Sequence, residues 1–182
     1  ALIGTIIADG FLGDPINDWV FGSYHALRYA NTAWARRLYL PRGFGHVTAG
    51  GEGGALWLPP GVAKHVPIWR SLDIGASMLR HGGARSLSRG LRVDATLARH
   101  HTQEPHYYLY AISVRPAFQG RGIGSALMRA ALERVEQRPA PAYLESSKPS
   151  NVPFYRRFGF TVTRELSPAP GCPPMWLMTR PG

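Results

Sequence analysis

The residues Gln119-Gly120-Arg121-Gly122-Ile123-Gly124-Ser125 separate two segments of different period. Before them, His106 to Val114 alternates as a strand does, with Tyr108, Tyr110, Ile112 and Val114 on one face and Tyr107, Leu109, Ala111 and Ser113 on the other. Both faces are apolar enough to be covered. After them, Ile123, Leu127, Ala130, Ala131 and Val135 recur on one face of a helix. A strand, a glycine turn and a helix in this order leave main-chain N–H groups uncovered at the helix start, where the helix dipole favours an anion and glycine lets it approach. A pyrophosphate is the natural guest.

Two familiar phosphate loops fit poorly. A Walker loop ends in Gly-Lys-Ser/Thr, and this segment has no lysine; a dinucleotide fingerprint reads Gly-x-Gly-x-x-Gly, whereas this one reads Gly-x-Gly-x-Gly.

The rest of the chain arranges itself around that unit. Leu2, Ile6 and Phe11, then Tyr24 to Leu38, carry helical spacing, with Asp14-Pro15 as a break. Glycines between Gly43 and Gly54 predict a hairpin whose second strand, Ala55 to Leu58, stops at Pro59-Pro60-Gly61. Helical patterns follow at 63–80 and 86–100. Ala142 to Glu145 reads as a strand, Ser150 as a cap, 151–158 as a short helix and Gly159 as its left-handed end. Phe160 to Glu165 and Pro174 to Arg180 predict two closing antiparallel strands. The order implies an α/β (α+β) domain on a mixed sheet.

At 182 residues, 45% of them hydrophobic and 18% charged, the chain suits one folded domain. The lone Cys172 excludes an internal disulfide and a multi-cysteine zinc site. No apolar run is long enough to span a membrane, and the apolar opening is broken by Asp9 without a basic leader, so a cytoplasmic setting is the expectation. The net charge of +10 calls for an anionic partner or a solvated basic surface. Its arginines are scattered, with no basic tail or helix-turn-helix spacing, which argues against nucleic acid. The seven histidines, His25, His46, His65, His81, His100, His101 and His106, include no i, i+4 pair on one helix, so no metal is expected.

Gln-x-x-Gly-x-Gly after a strand resembles the phosphate loop of the Gcn5-related N-acetyltransferase (GNAT) superfamily. Asn151-Val152-Pro153-Phe154-Tyr155-Arg156-Arg157-Phe158-Gly159-Phe160 is similar to its signature of an Asn followed by Tyr-x-x-x-Gly-Phe. Tyr143-Leu144-Glu145-Ser146-Ser147 and the ending Trp176 to Arg180 most resemble the puromycin N-acetyltransferase-like members. The resemblance covers about residues 107–180 and is loose in the first half. It implies a GNAT-like, mostly antiparallel central sheet flanked by helices and split between its fourth and fifth strands, here the strands ending at Val114 and near Glu145. Residues 1–182 are then one domain, 1–105 the acceptor-side half and 106–182 the acetyl-CoA half. The family's first strand is expected to be missing, since Ala1 already lies in the first helical pattern.

In that scheme acetyl-CoA is the donor and the acetyl group passes directly to a primary amine of a small molecule, antibiotic-like ones included. Ile112, Ser113 and Val114 pair with pantetheine through their backbone, and Asn151 lies along it. Gln119, Gly120, Arg121, Gly122, Ile123, Gly124 and Ser125 hold the pyrophosphate. Tyr155 stands as general acid to the leaving thiolate, the alternative being a tyrosine that packs its helix on the sheet. Glu145 accepts a proton from the substrate ammonium or anchors it, the alternative being a structural ion pair. The N–H of Val114 polarises the thioester carbonyl. Trp19, Phe21, Tyr24 and Trp57 are candidates for an aromatic acceptor pocket, or else core. A protein or peptide amine as acceptor, a non-catalytic coenzyme A sensor and a homodimer stay open.

Overall fold

In the computed structural model, which describes residues 2–64 and 67–182, six strands form one sheet in the order β1-β2-β3-β4-β6-β5. They are β1 (Phe44–Val47), β2 (Gly53–Leu58), β3 (Tyr107–Val114), β4 (Ala142–Ser146), β5 (Thr161–Leu166) and β6 (Met175–Arg180). Only β3 and β4 run parallel. A parallel pair needs a crossover, and α6 (Ile123–Glu136) supplies it. The sheet is the mixed, mostly antiparallel one expected, with the predicted hairpin 43–58 and both closing strands in place.

α6 buries Leu127, Met128, Ala131, Leu132 and Val135 on one face of the sheet, joined there by Val152 and Tyr155 of α7 (Val152–Arg156). The opposite face packs against α1 (Leu2–Gly10) and the end of α3 (Tyr24–Trp34), through Ile3, Ile7, Ala35, Leu38 and Tyr39. α2 (Pro15–Phe21) and α5 (Leu72–His100) close over α3 to make a further apolar cluster that holds Cys172. Asp14, expected to break the first helix, also starts the next: its side chain accepts from the N–H of Asn17 and caps α2.

Four local readings change. The strict alternation of β3 fails, because Leu56 stands opposite Ala111 and Trp57 opposite Leu109, leaving Tyr110 as an extra, bulged residue. Tyr107, Leu109 and Ile112 therefore join the α6 side, while Tyr108, Tyr110 and Ala111 join the α1 side. A single π-turn at Ala35–Tyr39 extends α3, and Tyr39 stacks on the bulged Tyr110 at 4.1 Å. The two helical patterns at 63–80 and 86–100 stand as the two limbs of α5 on either side of Gly83, whose φ of 73° no helix contains, but the first limb begins only at Leu72 and 61–64 is not helical. Residues 149–151 form a 3₁₀ turn, so Ser150 does not cap α7. Gly159 does end it in the left-handed region, at φ 84°. Ala1 and His65 lie outside the described residues.

Candidate active site

The pairing of β3 with β4 runs Tyr107↔Ala142, Tyr108↔Tyr143, Leu109↔Leu144 and then stops. Beyond that point Ala111 to Val114 keep their partners on β2 only, and the two strands part. Arg115 donates its N–H to the Glu52 carbonyl, on the β2 side. Extended backbone alternates, so Val114 and Ile112 turn their N–H and C=O groups into the gap. The Val114 carbonyl is engaged there by Gln119 Nε2 at 2.9 Å. Ser113 turns the other way: its backbone faces Gly53, and its hydroxyl donates to the Ile7 carbonyl of α1 at 3.3 Å. Two of the three predicted backbone contacts thus face the gap, and the third holds the strand to α1.

The gap leads directly into the glycine turn. Gly120 and Gly122 have φ of 76° and 79°, and nothing stands within 4 Å of where their side chains would begin. Gly122 caps α6 with no side-chain bond, and the first helical N–H bond is that of Ala126 to the Gly122 carbonyl at 3.0 Å. The N–H groups of Ile123, Gly124 and Ser125 are therefore unspent inside the helix. Gly124 faces Phe154 of α7, so this helix start and the Tyr155 helix meet. Arg121 lies over the Phe118 ring, its guanidinium 5.4 Å from the centroid.

Tyr155 is buried, edge-on to Phe154 and Phe160. Its hydroxyl has no hydrogen-bond partner among the described residues. Burial, and then the negative charge of Asp14, hold the phenol well above its usual range, so it is a bound acid at neutral pH. Asn151 sits half-buried just before α7 and does not cap it.

Glu145 is the first residue of β4 past the last parallel pair, at the vertex of the gap, on the sheet face opposite Tyr155. Its side chain is 7% exposed and already partnered. Tyr108 and Tyr143 donate hydroxyls at 2.8 and 3.2 Å, Lys64 Nζ stands at 3.4 Å and His101 Nδ1 at 3.5 Å. Burial opposes ionisation, but His101, Lys64 and Tyr108 outweigh it and hold the carboxyl at about 2. His101 continues to His106 through a 3.1 Å contact between ring nitrogens. The structural ion pair weighed as the alternative is made with Lys64 and His101. Lys64, His101, His106, Tyr108 and Tyr143 escaped the sequence reading because they come from three distant segments. The even spacing of Tyr143 and Glu145 on one strand was the available signal.

Of the aromatic pocket candidates, two are core. Trp57 is 0% exposed and stacked on Phe44, and Phe21 is buried edge-on to Trp34. Trp19 is half-buried beneath the Arg89 guanidinium, 4.3 Å from its ring. Tyr24 does line a cavity, of about 210 Å³, with Leu12, Asn17, Asp18, Gly22, Ser23 and Leu27. Its hydroxyl donates to Asp9, which is paired with Arg115 at 2.9 Å. Among the described residues no three His, Cys, Asp or Glu side chains converge as metal ligands, and no helix is long and apolar enough to cross a membrane.

Residues 83–160 match the profile of the acetyltransferase (GNAT) family, a span that holds the parting strands, the glycine turn and Tyr155. Over that span the chain is similar to GNAT acetyltransferases. The GNAT fold extends over nearly the whole chain. A crystal structure from Corynebacterium glutamicum, described as histone acetyltransferase HPA2 and related acetyltransferase, superposes with a TM-score of 0.70 at 23% identity, covering 98% of this chain and 88% of that one. Arylalkylamine N-acetyltransferase 2 from Aedes aegypti gives 0.65 at 14% identity, covering 99% and 93%.

Proposed function

We propose that this GNAT domain transfers an acetyl group from acetyl-CoA to the primary amine of a small molecule. One observation carries the reading: the edge of β3 that β4 leaves unpaired runs straight into a glycine turn whose helix-start amides have no partner among the described residues. An extended pantetheine arm takes the place of a strand beside Ile112 and Val114, and the diphosphate accepts from Ile123, Gly124 and Ser125 while Arg121 adds a positive charge. The small cavity at Tyr24 favours a small acceptor over a protein chain.

With the coenzyme so placed, the thioester lies near the vertex. The amine nitrogen attacks the carbonyl carbon, the Val114 N–H stabilises the oxygen as it becomes negative, and the carbon–sulfur bond breaks. Tyr155 gives its proton to the departing thiolate, and the proton that the nitrogen sheds as the amide forms returns through solvent to the phenol; burial keeps the phenol protonated until then while making it a weaker donor than a free tyrosine. Glu145, held at about 2, is a weak proton acceptor at neutral pH. Its part is electrostatic: it keeps Lys64 and His101 gathered at the vertex, and the ammonium proton leaves to solvent.

The test is direct. Calorimetry of the purified protein should show acetyl-CoA binding, and a panel of primary amines should release free thiol at a rate that depends on the amine. Acetyl-CoA that does not bind, or binds without any amine-dependent thiol release, would refute the reading.

A further inference from the structure

Two carboxylates are shielded from water in the neighbourhood of the gap, and they are treated differently. Glu145 has Lys64 and His101 beside it. Asp14 is 2% exposed, and among the described residues no cation lies within ion-pair distance of it. Its partners are neutral donors: the Asn17 N–H at 3.0 Å, the Asn17 side-chain amide at 2.9 Å, and the Ser147 hydroxyl. Hydrogen bonds ease the burial of an anion, yet an unpaired buried charge stays costly and is matched most effectively by a cation.

The place of Asp14 says which cation. Ser147 follows β4 directly, so the bond from its hydroxyl ties Asp14 to the open end of the gap, on the side that β4 forms. Leu12 and Asn17, on either side of Asp14, wall the cavity shared with Tyr24. Tyr155, the acid of the proposed reaction, senses the charge of Asp14. We infer that Asp14 receives the positive charge of the acceptor, so that the substrate class is amines that arrive as ammonium ions. The inference rests on the acetyl-transfer reading and assigns recognition of its second substrate.

Asp14→Asn tests it, because asparagine caps helices as well as aspartate and can still meet Ser147 while losing the charge. Phenethylamine, protonated at neutral pH, and aniline, uncharged there, are compared in thiol-release assays. The Michaelis constant for phenethylamine should rise ~10-fold or more, the scale of one charge-assisted hydrogen bond, while that for aniline and the affinity for acetyl-CoA stay within about twofold. Calorimetry of phenethylamine on the coenzyme A-loaded protein gives a readout independent of turnover and should show the same weakening. Equal losses for both amines, or no loss for either, would make Asp14 a helix cap only and overturn the inference. A wild-type protein that binds phenethylamine but releases no thiol would instead refute acetyl transfer and leave Asp14 as its anchor. Should the asparagine variant fold poorly, Asp14→Ser removes the same charge and keeps a capping side chain.

Discussion

The two faces of the sheet meet at the gap between β3 and β4 with different chemistry. On the α6 face the chemistry is main-chain: amides at a helix start, an unpaired strand edge and one tyrosine, all within a continuous segment from Tyr107 to Tyr155. On the α1 face it is side-chain charge, with Lys64, His101 and Glu145 brought together from three segments, while Asp14 is held to the end of β4 by Ser147. Backbone recognition asks only for the right conformation, so short local motifs can specify it. A charge cluster asks for a finished tertiary structure.

The largest expected effect strikes the backbone face. Gly122→Asp places a side chain at φ 79°, a strained position, and sets a carboxylate where the diphosphate belongs. Acetyl-CoA binding measured by calorimetry should vanish while the folded spectrum persists; retained affinity would mean the loop amides do not hold the phosphates. Trp57→Ala reaches the core under α6 and should cost ~3–5 kcal/mol in denaturant unfolding, as truncating a fully buried aromatic does. A small loss would restore Trp57 as a pocket residue.

Glu145→Gln sharpens the charge face. A carboxyl held at about 2 when folded, against 4.5 when free, stabilises the fold above the free value and loses that contribution as pH falls through the folded one. Wild-type stability should therefore decline from about pH 4.5 toward pH 2, by roughly 3 kcal/mol on this account, and the glutamine variant should lack that part of the slope while being less stable at pH 7. Parallel acid profiles for the two proteins would contradict the assigned partners. Smallest in energy, though visible in rate, is Tyr155→Phe: the turnover number should fall ~100-fold with acetyl-CoA affinity unchanged. If affinity drops and turnover does not, Tyr155 positions the coenzyme and protonates nothing.

This division also explains what the sequence disclosed. β3, its glycine turn, α6, β4, α7 and the closing strands are each written in spacing along one stretch, and they stand where that spacing implies. The bulge at Tyr110 carries no such mark, since Tyr110 is as good a strand residue as its neighbours and only the pairing with β2 shows it to be supernumerary. Lys64 and His101 were two polar residues among many until the fold set them on Glu145. Trp57 was legible in principle, for a tryptophan inside the run Ala55 to Leu58 has apolar neighbours on both sides.

That extra residue in β3 sets a reading frame for the gap. Upstream of it, strand parity is fixed by Tyr107 and Leu109 under α6; carried through without a bulge, that parity would send the Val114 amide toward β2, and the extra residue turns it into the gap. The bulge is thus more tightly constrained than composition between Leu109 and Arg115: many side chains could change there and leave the amide in register, whereas ironing out the bulge at constant length would turn it away.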